Sequence, residues 1–265
     1  MQTHNELGDE WMEKVSQVLD AVCLAAQIIL ECGGETYRAE DTVERMCKGF
    51  GVPKVDVLAL PTGLMLTLAM GEEKSLTRIV RVHRRSIHLK KLDQCNGVSR
   101  KVASGEMNAL EALEALEAIK AECKDRKWLM IGASALSASA FAVMLGGFWI
   151  EFFIALFCGA AVQFISVLMA RHRMPGMISG LITGALTTLL ALLGTLVFPG
   201  ANVEPVISGS IMPLLPGLAT TNGIRDTIRG DLVSGGARIM EAILCAIMLA
   251  AGIGLVLSMW RGVIG

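Results

Sequence analysis

A group of polar residues follows two prolines near the end of a hydrophobic segment. The stretch SGSIMPLLPGLATTNGIRDTIRGDL, residues 208–232, begins like a membrane helix, but two prolines interrupt it and a run of threonine, asparagine, arginine and aspartate follows. Hydroxyl and amide groups can contact the carboxylate, amine or hydroxyl of an amino acid. An arginine offers a forked donor to a carboxylate, and an aspartate near a membrane can meet an ammonium or carry a proton. These residue types favour the binding and movement of a small polar solute.

The two prolines predict how these groups are positioned. A proline removes a backbone donor and frees a carbonyl one turn earlier, and lipid tolerates such a break only where protein or a water-filled cavity covers it. We therefore predict a discontinuous helix that lines a cavity. The alternative is that the prolines only kink a helix and that residues 222–232 form an ordinary cytoplasmic loop. The predicted substrate path comprises Pro213, Pro216, Gly217, Thr220, Thr221, Asn222, Arg225 and Asp226.

A second polar group lies near the N-terminus, in the stretch GGETYRAED at residues 33–41. It brings Glu35, Arg38 and Asp41 close together in sequence, which predicts a possible polar site. The alternative is an ordinary helix start, because acidic residues stabilise the N-terminal end of a helix dipole.

Motifs for enzyme chemistry are missing from the sequence. It holds no nucleophile elbow, P-loop or HExxH motif, its seven cysteines form no CxxC pair, and its four histidines are scattered. We therefore expect no metal, no cofactor, no enzymatic activity and no nucleic-acid partner. Reduced thiols on the cytoplasmic side are the simplest interpretation of the cysteines.

Hydrophobicity divides the chain into two parts. Of its 265 residues, 53% are hydrophobic and 18% are charged, with a mean hydropathy of +0.55. Most of the charge lies in residues 1–127. A membrane-spanning helix needs about 20 mostly apolar residues, and five segments qualify or nearly qualify: 128–145, 150–170, 177–197, 205–222 and 239–260. The sequence thus predicts an α+β cytoplasmic domain over 1–127, followed by an all-α membrane domain of five transmembrane helices over 128–265.

Basic residues predict the orientation in the membrane. They collect around residues 124–127, 171–173 and 225–238, while Arg261 alone lies on the other side. The positive-inside rule places the N-terminal domain in the cytoplasm, and five spans then place the C-terminus outside. We expect a multi-pass protein of the cell (inner) membrane, in contact with membrane lipid.

Small residues predict where membrane helices approach each other. Gly176, Gly180 and Gly184 form a GxxxGxxxG pattern, and the first span carries a similar small face through Ser134 and Ala138. Such patterns allow close packing of helices in lipid. The neighbouring helix is predicted to come either from this chain or from another subunit.

The first 127 residues show both helical and strand periodicity. We predict helices over 10–30, 36–50, 86–103 and 108–126, strands over 55–60, 65–70 and 76–82, and a hairpin turn at 71–74. Asn108 and Glu111 are spaced as a helix-capping pair. Residues 78–101 carry eight lysines and arginines with a single aspartate. This basic run predicts either binding of lipid headgroups or another anion, or a solvated face beside the acidic 106–122 helix.

Three stretches resemble the threonine/serine exporter family: GGETYRAEDTVERM, RVHRRSIHLKKLDQCNGVSRKVASG and, most specifically, IMPLLPGLATTNGIRDTIRGDLVSGGARIMEAIL. The resemblance covers residues 15–258. It implies a cytoplasmic N-terminal domain, five spans, and a second set of spans that completes the transporter. Some members fuse both sets, whereas others split them between two chains, including a pair implicated in succinate export. This sequence holds one set, so we expect a second membrane subunit of four or five spans, or a homo-oligomer.

The resulting prediction is a subunit of a secondary transporter that exports small polar amino acids, threonine and serine first, driven by the proton gradient. The alternative within transport is a dicarboxylate exporter of the succinate type. A site for dicarboxylates should hold more cations than acids, whereas a site for zwitterions should balance them, as Arg225 and Asp226 do. Two other classes are a membrane-anchored hydrolase that works through residues 1–127 and a scaffold or sensor.

Overall fold

The structure is a computed structural model that describes residues 2–69, 75–83, 85–122, 127–172 and 174–264, with side chains from residue 14 to residue 262. The predicted turn at 71–74 and the connection at 123–126 lie outside the described residues. The chain divides into two compact units, one of Met1–Cys123 with Ala219–Ile239 and one of Lys124–Leu218 with Met240–Gly265. Residues 219–239 therefore belong to the first unit, although the sequence placed them in the predicted membrane domain.

The first unit combines helices with a small sheet. Its elements are α1 (Gln2–Glu31), α2 (Thr36–Gly49), β1 (Lys54–Leu60), β2 (Gly63–Ala69), β3 (Ser75–Arg81), α3 (Leu89–Ala103) and α4 (Ala109–Ala121). The three strands are antiparallel in the order β1-β2-β3, with Leu66 opposite Val57 and Arg78. Alternate β2 residues, Leu64, Leu66 and Leu68, are buried and join Val22 and Ile29 of α1 in the core. The α+β class predicted for this part of the chain agrees with these elements.

One predicted local signal is visible at the start of α4. The Asn108 side chain accepts a hydrogen bond from the Glu111 amide, and the Glu111 carboxylate accepts one from the Asn108 amide, each at 2.9 Å. This reciprocal capping box satisfies two helix-end donors, so the spacing of these residues predicted the helix start correctly.

Helices alone make up the described part of the second unit. They are α5 (Lys127–Met144), α6 (Trp149–Arg171), α7 (Gly176–Val197), α8 (Val203–Ile211) and a 3-10 turn (Met212–Leu214). Helix α10 (Leu232–Ile264) begins in the first unit and belongs to the second unit from Met240 onward. Helix α9 (Gly217–Ile228) begins in the second unit and continues into the first.

Four of the five predicted transmembrane segments are present as helices of spanning length. Among the described residues, four helices are long and apolar enough to cross a membrane: Lys127–Met144, Trp149–Arg171, Gly176–Val197 and Leu232–Gly262. The segment predicted over 205–222 is not one helix, because α8 ends at Ile211, a 3-10 turn contains Pro213, and α9 begins only after Pro216. The discontinuity predicted from the two prolines is therefore present, and its apolar part, Val203–Leu214, is shorter than a full span.

The glycine pattern of α7 packs against α10. A Cβ added to Gly180 would lie 3.2 Å from the Cys245 carbonyl oxygen, and one added to Gly184 would overlap the Leu249 carbonyl oxygen. From the other side, a Cβ at Gly252 would overlap the Leu181 carbonyl oxygen. The prediction that this face lies against another helix is confirmed, and the neighbour is a helix of the same chain.

Two other glycines pack against the small residues of α5. A Cβ at Gly159 of α6 would lie 2.6 Å from the Ala138 Cβ, and a Cβ at Gly209 of α8 would lie 2.6 Å from the Ala142 Cα. Helices α6 and α8 are therefore held within backbone distance of α5, as small residues permit in membrane bundles.

Candidate functional site

Two segments that are distant in sequence meet in the first unit. The turn between α1 and α2, together with the first two residues of α2 (residues 33–37), contacts the helical hairpin formed by α9 and the first turns of α10 (residues 222–238). Gly33 and Asn222, for example, are hydrogen-bonded across 189 residues of sequence. We call this group the turn–hairpin cluster. Its central members are Gly33, Gly34, Glu35, Asn222, Arg225, Asp226 and Arg238.

The turn presents two backbone carbonyl groups to the hairpin. Gly33 has a φ of +81°, a left-handed conformation that glycine adopts without the strain of a Cβ, and it lies two residues after the end of α1 at Glu31. The Gly33 carbonyl accepts a hydrogen bond from Asn222 Nδ2 at 2.9 Å, and the Gly34 carbonyl accepts one from Arg238 Nη2 at 2.8 Å. The conformation of this turn thus fixes where two hairpin side chains bind.

Gly34 has no room for a side chain, since an added Cβ would lie 2.6 Å from Ile29 Cγ2 and 2.9 Å from the Ile29 carbonyl oxygen. We expect Gly34→Ala to destabilise the chain by about 1–3 kcal/mol, because the buried turn must shift. The control is Gly97→Ala in α3, where nothing lies within 4 Å of an added Cβ and alanine favours the helix. Thermal unfolding of both variants measures the difference; equal midpoints would contradict the tight fit at Gly34.

Glu35 is an ionised carboxylate held by two arginines. Its side chain is 6% exposed, and it pairs with Arg225 from α9 and, at 3.3 Å, with Arg38 from the next turn of α2. Burial by itself raises the pKa of Glu35, but hydrogen bonds from its own backbone and from Arg225, together with the charge of Arg38, outweigh burial and lower the pKa below its usual value. Glu35 therefore remains charged at any pH near neutrality.

Asp226 is in a different electrostatic environment. Its side chain is fully buried and Oδ2 lies 3.1 Å from Nε of Arg238, which is itself 5% exposed. Within the described part of the chain, neither carboxylate oxygen receives a well-aligned hydrogen bond. Burial raises the pKa of Asp226, and the charge of Arg238 offsets this only in part. Two carboxylates of one cluster thus have pKa values shifted in opposite directions, the arrangement that separates a fixed charge from a proton acceptor.

Glycines bring the two hairpin helices together. A Cβ at Gly223 of α9 would lie 3.1 Å from the Gly235 carbonyl oxygen, and a Cβ at Gly235 would lie 2.7 Å from the Gly223 carbonyl oxygen. This approach of backbones places Asp226 of α9 beside Arg238 of α10.

Aromatic and hydroxyl contacts surround the central pairs. The guanidinium of Arg229 lies 4.6 Å from the ring centroid of Tyr37, a cation–π distance. The Thr36 hydroxyl donates to Asp231 Oδ2 at 3.4 Å. Both contacts again join the α1–α2 turn to the hairpin.

The hairpin is also bonded to the sheet. The Ala59 carbonyl of β1 accepts a hydrogen bond from the Ser234 hydroxyl at 3.4 Å, while the Ala59 amide donates to Glu40 of α2 at 2.8 Å. Burial raises the pKa of Glu40, and the negative charge of Asp231 adds to this effect. The backbone of one strand residue therefore links α2 with α10.

The structure brings five of the predicted site residues together and leaves one of them apart. Asn222, Arg225, Asp226, Glu35 and Arg38 all join the turn–hairpin cluster, so the two predicted polar groups form one. Asp41 does not, since it forms an exposed ion pair with Arg45 at 2.5 Å, one turn along α2.

The remaining predicted residues lie along the α8–α9 segment. Thr220 is half-buried and Thr221 is exposed on α9. Pro213 lies in the 3-10 turn, Pro216 in the connection after it, and Gly217 at the start of α9; these three belong to the second unit.

Sequence reasoning missed Arg238 as a site residue, because it was counted only as a positive flank of the last span. Its position directly after four small residues, Ser234, Gly235, Gly236 and Ala237, was the available signal, since such residues allow close helix contact around a buried charge.

The buried thiols of the first unit are poorly suited to nucleophilic chemistry. Burial raises the pKa of Cys23, Cys47 and Cys95 to about 12, so their reactive thiolate forms are scarce near neutral pH. Within the described residues, no group of three or more histidine, cysteine, aspartate or glutamate side chains is arranged to hold a metal ion.

Comparison with known proteins identifies relatives over most of the chain. Residues 20–260 match the model of the family described as "Putative threonine/serine exporter". A protein named "Probable succinate transporter subunit YjjP" from Escherichia coli K12 is 24% identical over 237 residues, covering 88% of this chain and 90% of the relative. No solved structure matches the chain.

Two relatives are longer than the region they share with this chain. A protein named "Probable threonine/serine exporter" from Mycobacterium tuberculosis H37Rv is 23% identical over 252 residues, covering 93% of this chain but 46% of the relative. A protein named "Threonine/serine exporter" from Corynebacterium glutamicum is 29% identical over 133 residues, covering 48% of this chain and 26% of the relative.

Proposed function

This chain belongs to the threonine/serine exporter family, and we propose that it is one subunit of a secondary transporter that exports small polar amino acids, threonine and serine first, from the cytoplasm. Four apolar helices of spanning length and two relatives named threonine/serine exporters support transport. A match over 90% of a relative named a transporter subunit supports assembly with a second membrane subunit. A homo-oligomer is the alternative to assembly with a second, different subunit.

The observation that carries the choice of solute is the pairing of an acid with an exposed arginine in the turn–hairpin cluster, not the sum of its charges, since three arginines face two acids. Each acid is paired: Glu35 with Arg225 and Arg38, and Asp226 with Arg238. A zwitterion can replace one such pair, its carboxylate binding the arginine and its ammonium binding the glutamate. The Arg225 side chain is 52% exposed, which makes the Arg225–Glu35 pair the accessible one. We propose that this pair receives the amino acid.

Arg225→Lys tests this role of the exposed pair. We expect export to be lost, because an ammonium cannot reproduce the forked donation of a guanidinium to a carboxylate, while the chain stays folded, because lysine keeps a positive charge beside Glu35. Arg45→Lys is the control, since Arg45 forms an ion pair with an acid of the first unit outside the cluster. Efflux of labelled threonine from preloaded cells is the measurement. Equal efflux from both variants would remove Arg225 from the substrate path.

Proton coupling is proposed to use Asp226. A carboxyl whose pKa is raised by burial binds a proton more readily than Glu35, whose pKa is lowered. Release and uptake at Asp226 would alternately charge and neutralise its pair with Arg238. This division of roles extends the prediction made from residue types alone.

A dicarboxylate is the second candidate solute, favoured by the relative from Escherichia coli that is named a succinate transporter subunit. Glu35 distinguishes the two candidate solutes, because its negative charge would attract the ammonium of an amino acid but repel the second carboxylate of a dicarboxylate. Competition for efflux by unlabelled succinate, without competition by serine, would favour the dicarboxylate.

For the membrane arrangement we propose a cytoplasmic N-terminal domain and an external C-terminus in the cell membrane. Basic residues on one side motivate this orientation, and α8, the 3-10 turn and the start of α9 together are proposed to make the remaining crossing. A single cysteine at position 262, in a chain without other cysteines, should react with an impermeant maleimide in intact cells. Reaction only after the membrane is permeabilised would place the C-terminus inside.

A further inference from the structure

Ser210 differs from other hydroxyl residues of the second unit. Ser139, Ser166, Thr183, Thr187, Thr188 and Thr195 each donate to a backbone carbonyl of their own helix. Such bonds satisfy a hydroxyl inside a membrane bundle without any partner helix. Ser210 is 1% exposed, yet within the described residues its Oγ has no hydrogen-bond partner.

Ser210 places its hydroxyl near the C-terminal end of a helix. It is the second-last residue of α8, directly before the 3-10 turn and three residues before Pro213. The C-terminal end of a helix carries partial negative charge and attracts cations, and broken membrane helices use their carbonyl ends in this way. The acceptor lone pairs of Ser210 therefore lie where a cation is favoured.

Close packing holds Ser210 in place. The preceding residue, Gly209, approaches α5 so closely that an added Cβ would lie 2.6 Å from the Ala142 Cα and 2.7 Å from the Ala138 carbonyl oxygen. Helix α8 cannot rotate easily against this contact, so its last turn is rigid. A rigid, unsatisfied and buried hydroxyl costs free energy in the resting protein, and a bound ligand would recover that cost.

We propose that Ser210 accepts a hydrogen bond from, or coordinates, the cationic group of the transported species at the end of α8, namely the ammonium of an amino acid. An inorganic cation that accompanies transport has the same chemistry at this position and is the other source. This inference rests on the proposed transport function, and it names a separate contact of the transported species within the second unit alone.

Ser210→Ala gives an unusual combination of expected effects. Thermal stability should be unchanged or higher, because an unsatisfied buried hydroxyl is removed, while the substrate concentration for half-maximal efflux should rise about tenfold or more, as expected for the loss of a hydrogen bond to a charged group. Ser139→Ala is the matched control, since the Ser139 hydroxyl donates to the Leu136 carbonyl at 2.9 Å and is already satisfied. That control should leave half-saturation unchanged.

Thermal shift of the full-length protein in detergent separates the two sources of the cation. Stabilisation by L-threonine in sodium-free choline buffer that is lost in Ser210→Ala assigns the ammonium, and stabilisation by sodium chloride alone that is lost in this variant assigns the inorganic cation. The inference is overturned if Ser210→Ala keeps both ligand stabilisation and wild-type half-saturation. In that case an effect of Arg225→Lys on efflux would still support the proposed function, so the two failures are distinguishable.

Discussion

Asp226→Asn is expected to abolish export while the chain is still made and inserted in the membrane. Asparagine keeps the volume of the side chain but cannot carry a proton, so a transport cycle that charges and neutralises Asp226 stops. The variant also leaves Arg238 without the acid that now lies 3.1 Å away. Removing one partner of a buried ion pair typically costs about 3–5 kcal/mol, and the remaining bond from Arg238 to the Gly34 carbonyl should keep the loss at the lower end.

A double variant separates the proton from the packing. Asp226→Asn combined with Arg238→Gln removes both charges, so much of the lost stability should return, because a buried pair can often be replaced by neutral groups at little cost. Export should remain absent if Asp226 carries the proton. Restored efflux from the double variant would show that the pair is only structural. Labelled efflux and thermal unfolding, measured on the wild type, Asp226→Asn, Arg238→Gln and the double variant, decide between these outcomes.

The pH dependence of stability gives an independent check. Because the pKa of Asp226 in the folded protein lies above its unfolded value, the folded state binds more protons at pH values between the two. The stability contributed by this group is therefore complete below the unfolded pKa, about 3.9, and is lost as the pH rises through the folded value. Asp226→Asn should lack this component. Parallel stability curves for the wild type and the variant across that range would contradict the raised pKa.

Gly184→Leu is expected to have the largest effect on the second unit. An added Cβ overlaps the carbonyl oxygen of Leu249, so the side chain meets backbone that cannot move aside. We expect a loss of about 3 kcal/mol or more, at the upper end of overpacking, because α7 and α10 must separate. Gly180→Leu should cost less, since an added Cβ at that position lies 3.2 Å from the nearest backbone atom.

The control for this substitution is Gly254→Leu on α10, where nothing lies within 4 Å of an added Cβ. Thermal unfolding in detergent, followed by the amount of monodisperse protein recovered, should show a large loss for Gly184→Leu and little for Gly254→Leu. Similar recovery of both would mean that α7 and α10 do not pack through their glycines.

Patterns within one element were predicted well from the sequence. The spacing of Asn108 and Glu111 predicted a capping box, three glycines four residues apart predicted a helix contact, and two prolines predicted a broken helix. Each of these signals is local, because all residues that determine the outcome lie within three turns of each other. Local signals did not identify the neighbouring element. The glycines of α7 did not specify α10 as the helix they contact, and the helix break at the two prolines did not specify how the chain crosses the membrane.

The pairing of charges could not be predicted in this way. Arg225 and Asp226 are adjacent in sequence and balance each other in charge. On a helix, however, neighbouring residues point in directions about 100° apart, so Arg225 reaches Glu35 and Asp226 reaches Arg238 instead. Glu35 is separated from Arg225 by 190 positions, and no periodicity carries information over that distance.

The first unit is built from two separate segments of the chain, and this fixes an order of events during synthesis. Its last segment, Ala219–Ile239, leaves the ribosome only after the intervening residues 124–218, a delay of about 5–20 seconds at usual elongation rates. Until then the carbonyls of Gly33 and Gly34 and the carboxylate of Glu35 lack the partners that the hairpin supplies. Translation therefore delivers the helices of the second unit first, and the α1–α2 turn acquires its final contacts only after α5 to α8 have emerged.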